Sequence, residues 1–329
     1  MSEANHWQLI PADDFVCPVP PAVTRFQQGW QRLLRLLGLR SQDPVDDGEG
    51  AEPPDYQGFD RAPAVAALTG HLADWIAAGE GGVCFLLDPP FSGTAAIARD
   101  WAGRLDWRRL TPPDEAQIRA VDVEAWWRQQ QRHGPWLIDD LARYLLRTAS
   151  GLRFVRALLP RLLHGELGQG LLVCDSWTFA FIQRAWPLRP PRVYCFAPAG
   201  PALLRQLGIR ATDKPLSRLA ARARGNPGLA LALWACRLDE TQALPELPVE
   251  ADDTTAFVLF SLLLHRGLGG EGLQQVLPVV APDQLNVQLL RLEQCGIVLR
   301  QDGGWRLRVH AYLAVRDFLA ARDYLLDAF

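Results

Sequence analysis

The chain has 329 residues, 49% of them apolar and 22% charged, with 34 basic against 37 acidic residues for a net charge of −3. That length exceeds what one hydrophobic core usually serves, so two or three domains are expected. The near-neutral balance excludes a global pull toward nucleic acid or an anionic membrane. No uncharged run approaches the roughly 18–20 residues of a spanning helix, and no leader-like segment opens the sequence, so a cytoplasmic protein is expected.

Six cysteines are scattered without a C-x-x-C pair, which indicates neither a disulfide framework nor a zinc site. The six histidines are isolated, and no Ser/His/Asp or Cys/His arrangement suggests nucleophilic catalysis. Lys214 is the only lysine among the 34 bases, a bias better ascribed to a GC-rich genome than to arginine chemistry.

In chain order, residues 1–21 carry four prolines and little periodicity. Phe26, Trp30, Leu33, Leu34 and Leu37 then predict an amphipathic helix over 22–40. Residues 41–60 hold seven acids and no base, and read as a linker or solvated loop. A helix over 60–78 leads into an apolar strand over 81–88. That strand breaks at Asp88-Pro89-Pro90-Phe91-Ser92-Gly93, and a helix follows over 94–105.

A strand, a tight loop and a helix form the layout of a phosphate-binding loop, G-x-x-x-x-G-K-[ST], whose backbone N–H groups cradle phosphates while its Lys and Ser/Thr serve the outer phosphates and Mg²⁺. Here Asp88 stands at the first Gly and Gly93 keeps the second, whereas Thr94 replaces the Lys and Ala95 the Ser/Thr. The shape of the loop is retained without its charged chemistry. Asp88 would also face a triphosphate with like charge.

Further along, a short strand over 107–110, a helix over 115–131 and an apolar strand ending in Asp139 and Asp140 are expected. Two acids at a strand's C-terminal end are where P-loop enzymes hold Mg²⁺ and polarise the attacking water. A long Arg-studded helix is predicted over 141–164, a buried strand over 171–175 ending at Asp175 and Ser176, and a last strand over 192–196.

The segment Gly225-Asn226-Pro227 opening an apolar helical run resembles the G-x-P segment that starts the lid helix in STAND and origin-recognition-type AAA+ ATPases. With the degenerate loop, the acidic strand and the sensor-like strand in family order, the resemblance spans about residues 58–310. It implies a P-loop NTPase-like parallel sheet flanked by helices, a helical lid and a winged-helix domain. It also implies ATP or ADP as the ligand, contacted by Asp88, Pro89, Pro90, Ser92, Gly93, Thr94 and Pro227. Asp139 and Asp140 become Walker B-like, Asp175 and Ser176 sensor-like. No metal site of the chain's own is indicated.

The expected domains are an N-terminal helix and acidic linker (1–57), the α/β domain (58–200), the lid (201–242), a winged helix (252–310) and a C-terminal helix (311–329). Three helices and a hairpin drawn over 254–309 fit such a winged helix, yet residues 252–329 carry seven Arg against nine acids, which argues against duplex DNA. The reading is a catalytically inactive module, used as a scaffold or switch that binds another protein or a copy of itself. A working ATPase with an atypical loop and a winged-helix DNA regulator stand as alternatives.

Overall fold

The structure is a computed structural model and describes residues 5–19, 58–79, 81–130, 134–187, 189–238 and 245–329. The helix expected over 22–40 and the acidic stretch over 41–57 lie outside the described residues.

Short apolar runs bounded by Gly and Pro turns become one six-stranded sheet: β1 (Leu9–Pro11), β2 (Gly82–Asp88), β3 (Arg108–Arg109), β4 (Trp136–Ile138), β5 (Gln169–Asp175) and β6 (Val193–Phe196), in the spatial order β1-β6-β2-β5-β4-β3. Strands β2 to β6 run parallel, and β1 adds an antiparallel edge to β6. From Val83 to Asp88 and from Gly170 to Asp175 every residue is buried, as expected of parallel strands covered on both faces. The cover comes from helices α1 (Ala62–Ala78), α2 (Thr94–Arg104), α3 (Glu115–Ala120), α4 (Val123–Gln130), α5 (Ala149–Leu163) and α6 (Ser176–Ala185). Helix α1 buries the stripe Val65, Leu68, Leu72 and Trp75, spaced for one helical face, and starts with Pro63 in its first turn, where the missing N–H does no harm.

This is the mostly parallel α/β sheet expected from the sequence, with one antiparallel strand more. Its order fixes where a ligand can sit. From β2 the chain runs through α2 to β3 at the far edge and returns by way of β4 and β5, whereas β6 joins the other side of β2. The carboxyl end of β2 is therefore a topological switch point, where open α/β sheets place their binding crevice.

After the sheet come α7 (Pro201–Gln206), α8 (Asp213–Arg222) and α9 (Pro227–Leu238). Three more helices follow, α10 (Asp253–Leu264), α11 (Gly270–Val276) and α12 (Pro282–Gln294), and then an antiparallel hairpin of β7 (Val298–Gln301) and β8 (Gly304–Leu307). Asp302 and Gly303 both take left-handed φ, +51° and +77°, as a two-residue Asp-Gly hairpin turn requires. Helix α13 (Tyr312–Ala320) packs beside α10. Thr178 donates to the Leu264 carbonyl at 2.8 Å and the Trp177 indole to the Tyr312 hydroxyl at 3.1 Å, so α6 is bonded to both helices.

Three elements differ from expectation. The helix expected over 115–131 is two, α3 and α4, because Val121 takes left-handed φ, +57°, and ends the first, while Asp122 accepts from Ala125 N–H at the start of the second. The helix predicted over 141–164 is a 3-10 turn, Leu141–Tyr144, and a separate α5, because Asp140 caps the turn through Ala142 N–H and Thr148 starts a new helix by accepting from Gly151 N–H. The helix predicted over 312–329 stops at Ala320. Asp323 then takes φ +57°, and the chain runs on without helical bonding, burying Asp327 and Phe329. No helix among the described residues is long and apolar enough to cross a membrane.

Candidate functional site at the loop after the second strand

Helix α2 is entered through residues 89–93, where Phe91 and Gly93 both take left-handed φ, +68° and +84°. Gly93 is suited to that conformation, and a Cβ on it would also press on the Phe59 ring at 3.0 Å. Inside the loop a closed network forms. Asp88, fully buried, accepts from Ser92 Oγ at 2.7 Å. With the only Ser92 hydroxyl proton committed to Asp88, the 2.8 Å contact between Ser92 Oγ and Thr94 Oγ1 has Thr94 as donor, and Thr94 N–H donates to the same oxygen at 3.1 Å. The other Asp88 oxygen, Oδ2, pairs with the Arg266 guanidinium.

Arg266 follows α10 in the chain, takes φ +55°, and reaches back over the carboxyl end of the sheet. Its Nε lies 4.0 Å from Asp140 Oδ2. Burial pushes Asp140 above the ordinary carboxylate range, opposed by the Arg266 charge. Asp175 faces Asp88 in the β2–β5 register and caps α6, its Oδ1 accepting from Trp177 N–H at 2.9 Å and Thr178 N–H at 3.4 Å. Its Oδ2 is buried without a hydrogen bond, and burial again raises the carboxyl well above its usual range against the pull of Arg266. Ser176 donates to Asp327. Asp139 stands apart from this cluster, held by Arg99 at 3.2 Å and Arg109 at 3.6 Å.

On the other side of the loop sits the start of α9. Asn226 donates from Nδ2 to the Pro90 carbonyl at 2.8 Å and accepts from Leu229 N–H at 3.0 Å, capping the helix and tying it to the loop with one side chain. Pro227 occupies the first helical position. Gly228 lies so close that a Cβ would come within 1.9 Å of the Phe91 carbonyl oxygen, so a glycine is what permits this docking. Asn226, Gly228, Arg99 and Arg266 were not singled out as site residues from sequence. Asn226 and Gly228 flank Pro227 and were open to that reading, but nothing local marks Arg266, whose partner is 178 residues away.

Two spaces flank the loop. A cleft of about 860 Å³ opens beside Arg61, Arg99, Arg143, Arg266, Arg306 and Asp139. Between the loop and the α9 start only about 20 Å³ is free. A Mg²⁺-triphosphate does not fit this donor set. Both loop hydroxyls are engaged with Asp88 or with each other, Ala95 offers no oxygen, and the charged group the loop itself carries is a carboxylate, paired with Arg266, rather than an ammonium. Among the described residues no group of three or more His, Cys, Asp or Glu is arranged to hold a metal ion.

No protein-family profile matches the chain, and no curated protein matches it. Among solved structures, a RuvB variant of Thermotoga maritima is similar over 78% of this chain and 97% of its own, at 17% identity and a TM-score of 0.38. The Walker-type ATPase of Pyrococcus abyssi covers 82% and 99% at 10% identity and a TM-score of 0.36, and the ORC2 protein of Aeropyrum pernix, in ADPNP–ADP complexes, 85% and 99% at 13% and 0.33. The fold assignment rests on the chain's own geometry: a mostly parallel sheet covered by helices, with a strand–loop–helix turn at its switch point, is a P-loop NTPase-like fold.

Proposed function

We propose that this chain is a P-loop module of the AAA+/STAND type that does not hydrolyse ATP and serves as a protein-binding scaffold or regulatory switch. The observation that carries the reading is the Asp88–Ser92–Thr94–Arg266 network, which stands where a nucleotide-hydrolysing loop presents its Lys and its Mg²⁺-binding hydroxyl. Electrostatic stabilisation is most of what such enzymes supply, and here the fixed charge within the loop has the wrong sign. Helices α7 to α9 act as the lid. Helices α10 to α12 with the β7–β8 hairpin act as a winged helix.

A protein partner is favoured over DNA by α12, the third helix of that unit. Its solvent face presents Asp283, Gln284, Asn286, Val287 and Leu290, two of them apolar and one acidic, and Arg291 is paired with Glu250. Phosphate neutralisation supplies most of the affinity of DNA-reading domains, and this face offers little of it.

The test is equilibrium titration with fluorescent ATP and ADP, with and without Mg²⁺, beside a phosphate-release assay. No Mg²⁺-dependent gain in affinity and no phosphate release above background are expected. Phosphate release abolished by the Asp139→Asn, Asp140→Asn double substitution would overturn the reading. Rebuilding the loop by Asp88→Gly, Thr94→Lys and Ala95→Thr should raise nucleotide affinity if the loop descends from a working one.

A further inference from the structure

The cleft of about 860 Å³ beside the loop is lined by arginines from separate parts of the chain: Arg61 ahead of α1, Arg99 of α2, Arg143 after β4, Arg266 after α10 and Arg306 of β8. Asp139, Asp140 and Asp175 line it too, but the two signs lie at different depths. Side-chain exposure is 44% for Arg99 and 49% for Arg306, against 7% for Asp139, 16% for Asp140 and 1% for Asp88, the partner of Arg266. A ligand entering from solvent therefore meets guanidinium groups before carboxylates. Burial also holds Asp140 and Asp175 above the ordinary carboxylate range, so this inner layer carries less than its formal negative charge.

The arginines keep donors to spare. A guanidinium carries several N–H groups, of which Arg99 commits Nη1 to Asp139 at 3.2 Å, while Arg306 has the exposed Asp302 at 3.8 Å. Arg61 pairs with Asp100 at 2.6 Å. Arg143 is exposed and takes part in no ion pair among the described residues. Phe91 and Leu299, both half-buried, add apolar lining. Forked guanidinium donors beside apolar surface suit a chain of carboxylates with a few apolar side chains among them.

We infer that this cleft is a binding site for an acidic peptide segment, and that its occupant is the stretch 43–57 of the same chain. That stretch holds Asp43, Asp46, Asp47, Glu49, Glu52 and Asp55 without a base, and Val45 and Tyr56 supply apolar groups. Its connection to the fold is what favours it over another acidic peptide. The described chain resumes at Gly58, and Phe59 and Arg61 directly after it are themselves walls of the cleft. A stretch of this length reaches about 50 Å at most. Its carboxylates are thus held around the cleft at an effective concentration on the order of millimolar, which a free peptide of equal affinity has to exceed. An acidic segment of a partner competes with residues 43–57 for the same guanidiniums.

The inference goes beyond the proposed function and does not depend on whether nucleotide is hydrolysed; phosphate release from MgATP, run in parallel, reports on that separately. The probe is a fluorescein-labelled synthetic peptide of residues 43–57, followed by anisotropy at low salt. It is titrated with the full chain and with the full-length variant Asp43→Asn, Asp46→Asn, Asp47→Asn, Glu49→Gln, Glu52→Gln, Asp55→Asn, whose own stretch has lost its charge. Binding at least tenfold tighter to the variant is expected, because the wild-type cleft is already filled. Equal affinity for both chains, or no binding to either, would overturn the inference. Adding Arg143→Glu and Arg306→Glu to the variant should abolish the gain, and a gain that survives them refutes the cleft as the site. Should the reversed chain lose its cooperative melt, Arg143→Gln with Arg306→Gln is expected to weaken the peptide at least threefold, and no loss overturns the site equally. The choice of the same chain is read by photo-crosslinking from Ala51→benzoylphenylalanine in the otherwise wild-type protein. A product of one-chain mass, joined within 139–143 or 299–307, is expected. A product of two-chain mass assigns the occupant to a second copy and refutes docking in cis, and a link elsewhere on the fold refutes the cleft.

Discussion

Arg266 approaches Asp88, Asp140 and Asp175 together, and Asp88 and Asp175 are almost wholly buried. Removing one member of a buried ion pair leaves the other uncompensated, which costs on the order of 3–5 kcal/mol. Arg266→Met should therefore lower the unfolding free energy by about that amount, read from the denaturant midpoint at constant m. Combining it with Asp88→Asn should cost less than the sum of the single changes, because the two side chains are in contact. Additive losses would mean that the pair is not coupled. The neighbouring residue supplies a pH signature. His265 accepts Arg147 N–H on Nε2 at 3.0 Å, so its Nδ1 is the donor to the Ser261 carbonyl, 2.8 Å away. Burial lowers its pKa to about 4 from an ordinary 6.5, with the Arg147 charge adding to the effect. The unfolded chain takes up this proton near pH 6.5 and the folded chain only near 4, so the contribution of His265 is complete above pH 6.5 and is lost as the pH falls toward 4. Between pH 7 and 4.5 the wild type should lose about 2 kcal/mol more stability than His265→Gln, in which this titration is absent. Parallel stability–pH curves would refute the assignment.

At the scale of elements, what was legible in the sequence follows from how local the signal is. Strands β2 and β5 are continuous apolar runs because both their faces are covered, and the acids that end them were read correctly as strand ends. The turn at Gly93 and the helix start at Pro227 were legible for the same reason, since each reflects a backbone requirement met by one residue. Strand β1 was not. It has three residues, one of them Pro11, and exists because the edge of β6 is there to pair with. The break between Tyr144 and Ala149 was hidden by an apolar pattern that continues through it, although Asp140 and Thr148 carry the cap signals. Arg161, at the end of α5, is engaged within its own chain: it pairs with Glu124 at 2.7 Å and Glu166 at 3.3 Å and lies over the Trp127 ring. Long-range pairs such as Arg266 with Asp88 leave no local trace. The acids that end the strands could therefore be named from sequence, but not the cation that pairs with Asp88.

For the whole molecule the remaining question is what the module binds, and charge distribution supplies the argument. Residues 1–60 carry four bases against ten acids, a net of −6, and residues 252–329 are net −2; the total of −3 leaves +5 for residues 61–251. Opposite charges on an acidic arm and a basic central region attract within about a Debye length, 8–10 Å at physiological salt, and steer encounter more than they add affinity. We expect the N-terminal segment to dock on the central region of its own chain or of a second copy. The deletion that tests this is 22–57 rather than 1–57, because Trp7 and Leu9 are buried against the sheet and β1 pairs with β6, so removing residues 5–19 would strip an edge from the α/β core. The deleted chain should differ from the intact one in mass by light scattering by one or more whole chains, or lose partners in a pull-down at low salt that the intact chain also loses at high salt. Neither should show salt-sensitive sub-micromolar affinity for duplex DNA, since the C-terminal helices and hairpin are net acidic. An unchanged oligomeric state together with an unchanged pull-down would sink the docking arm, and tight salt-dependent DNA binding by the intact chain would replace the scaffold with a DNA regulator.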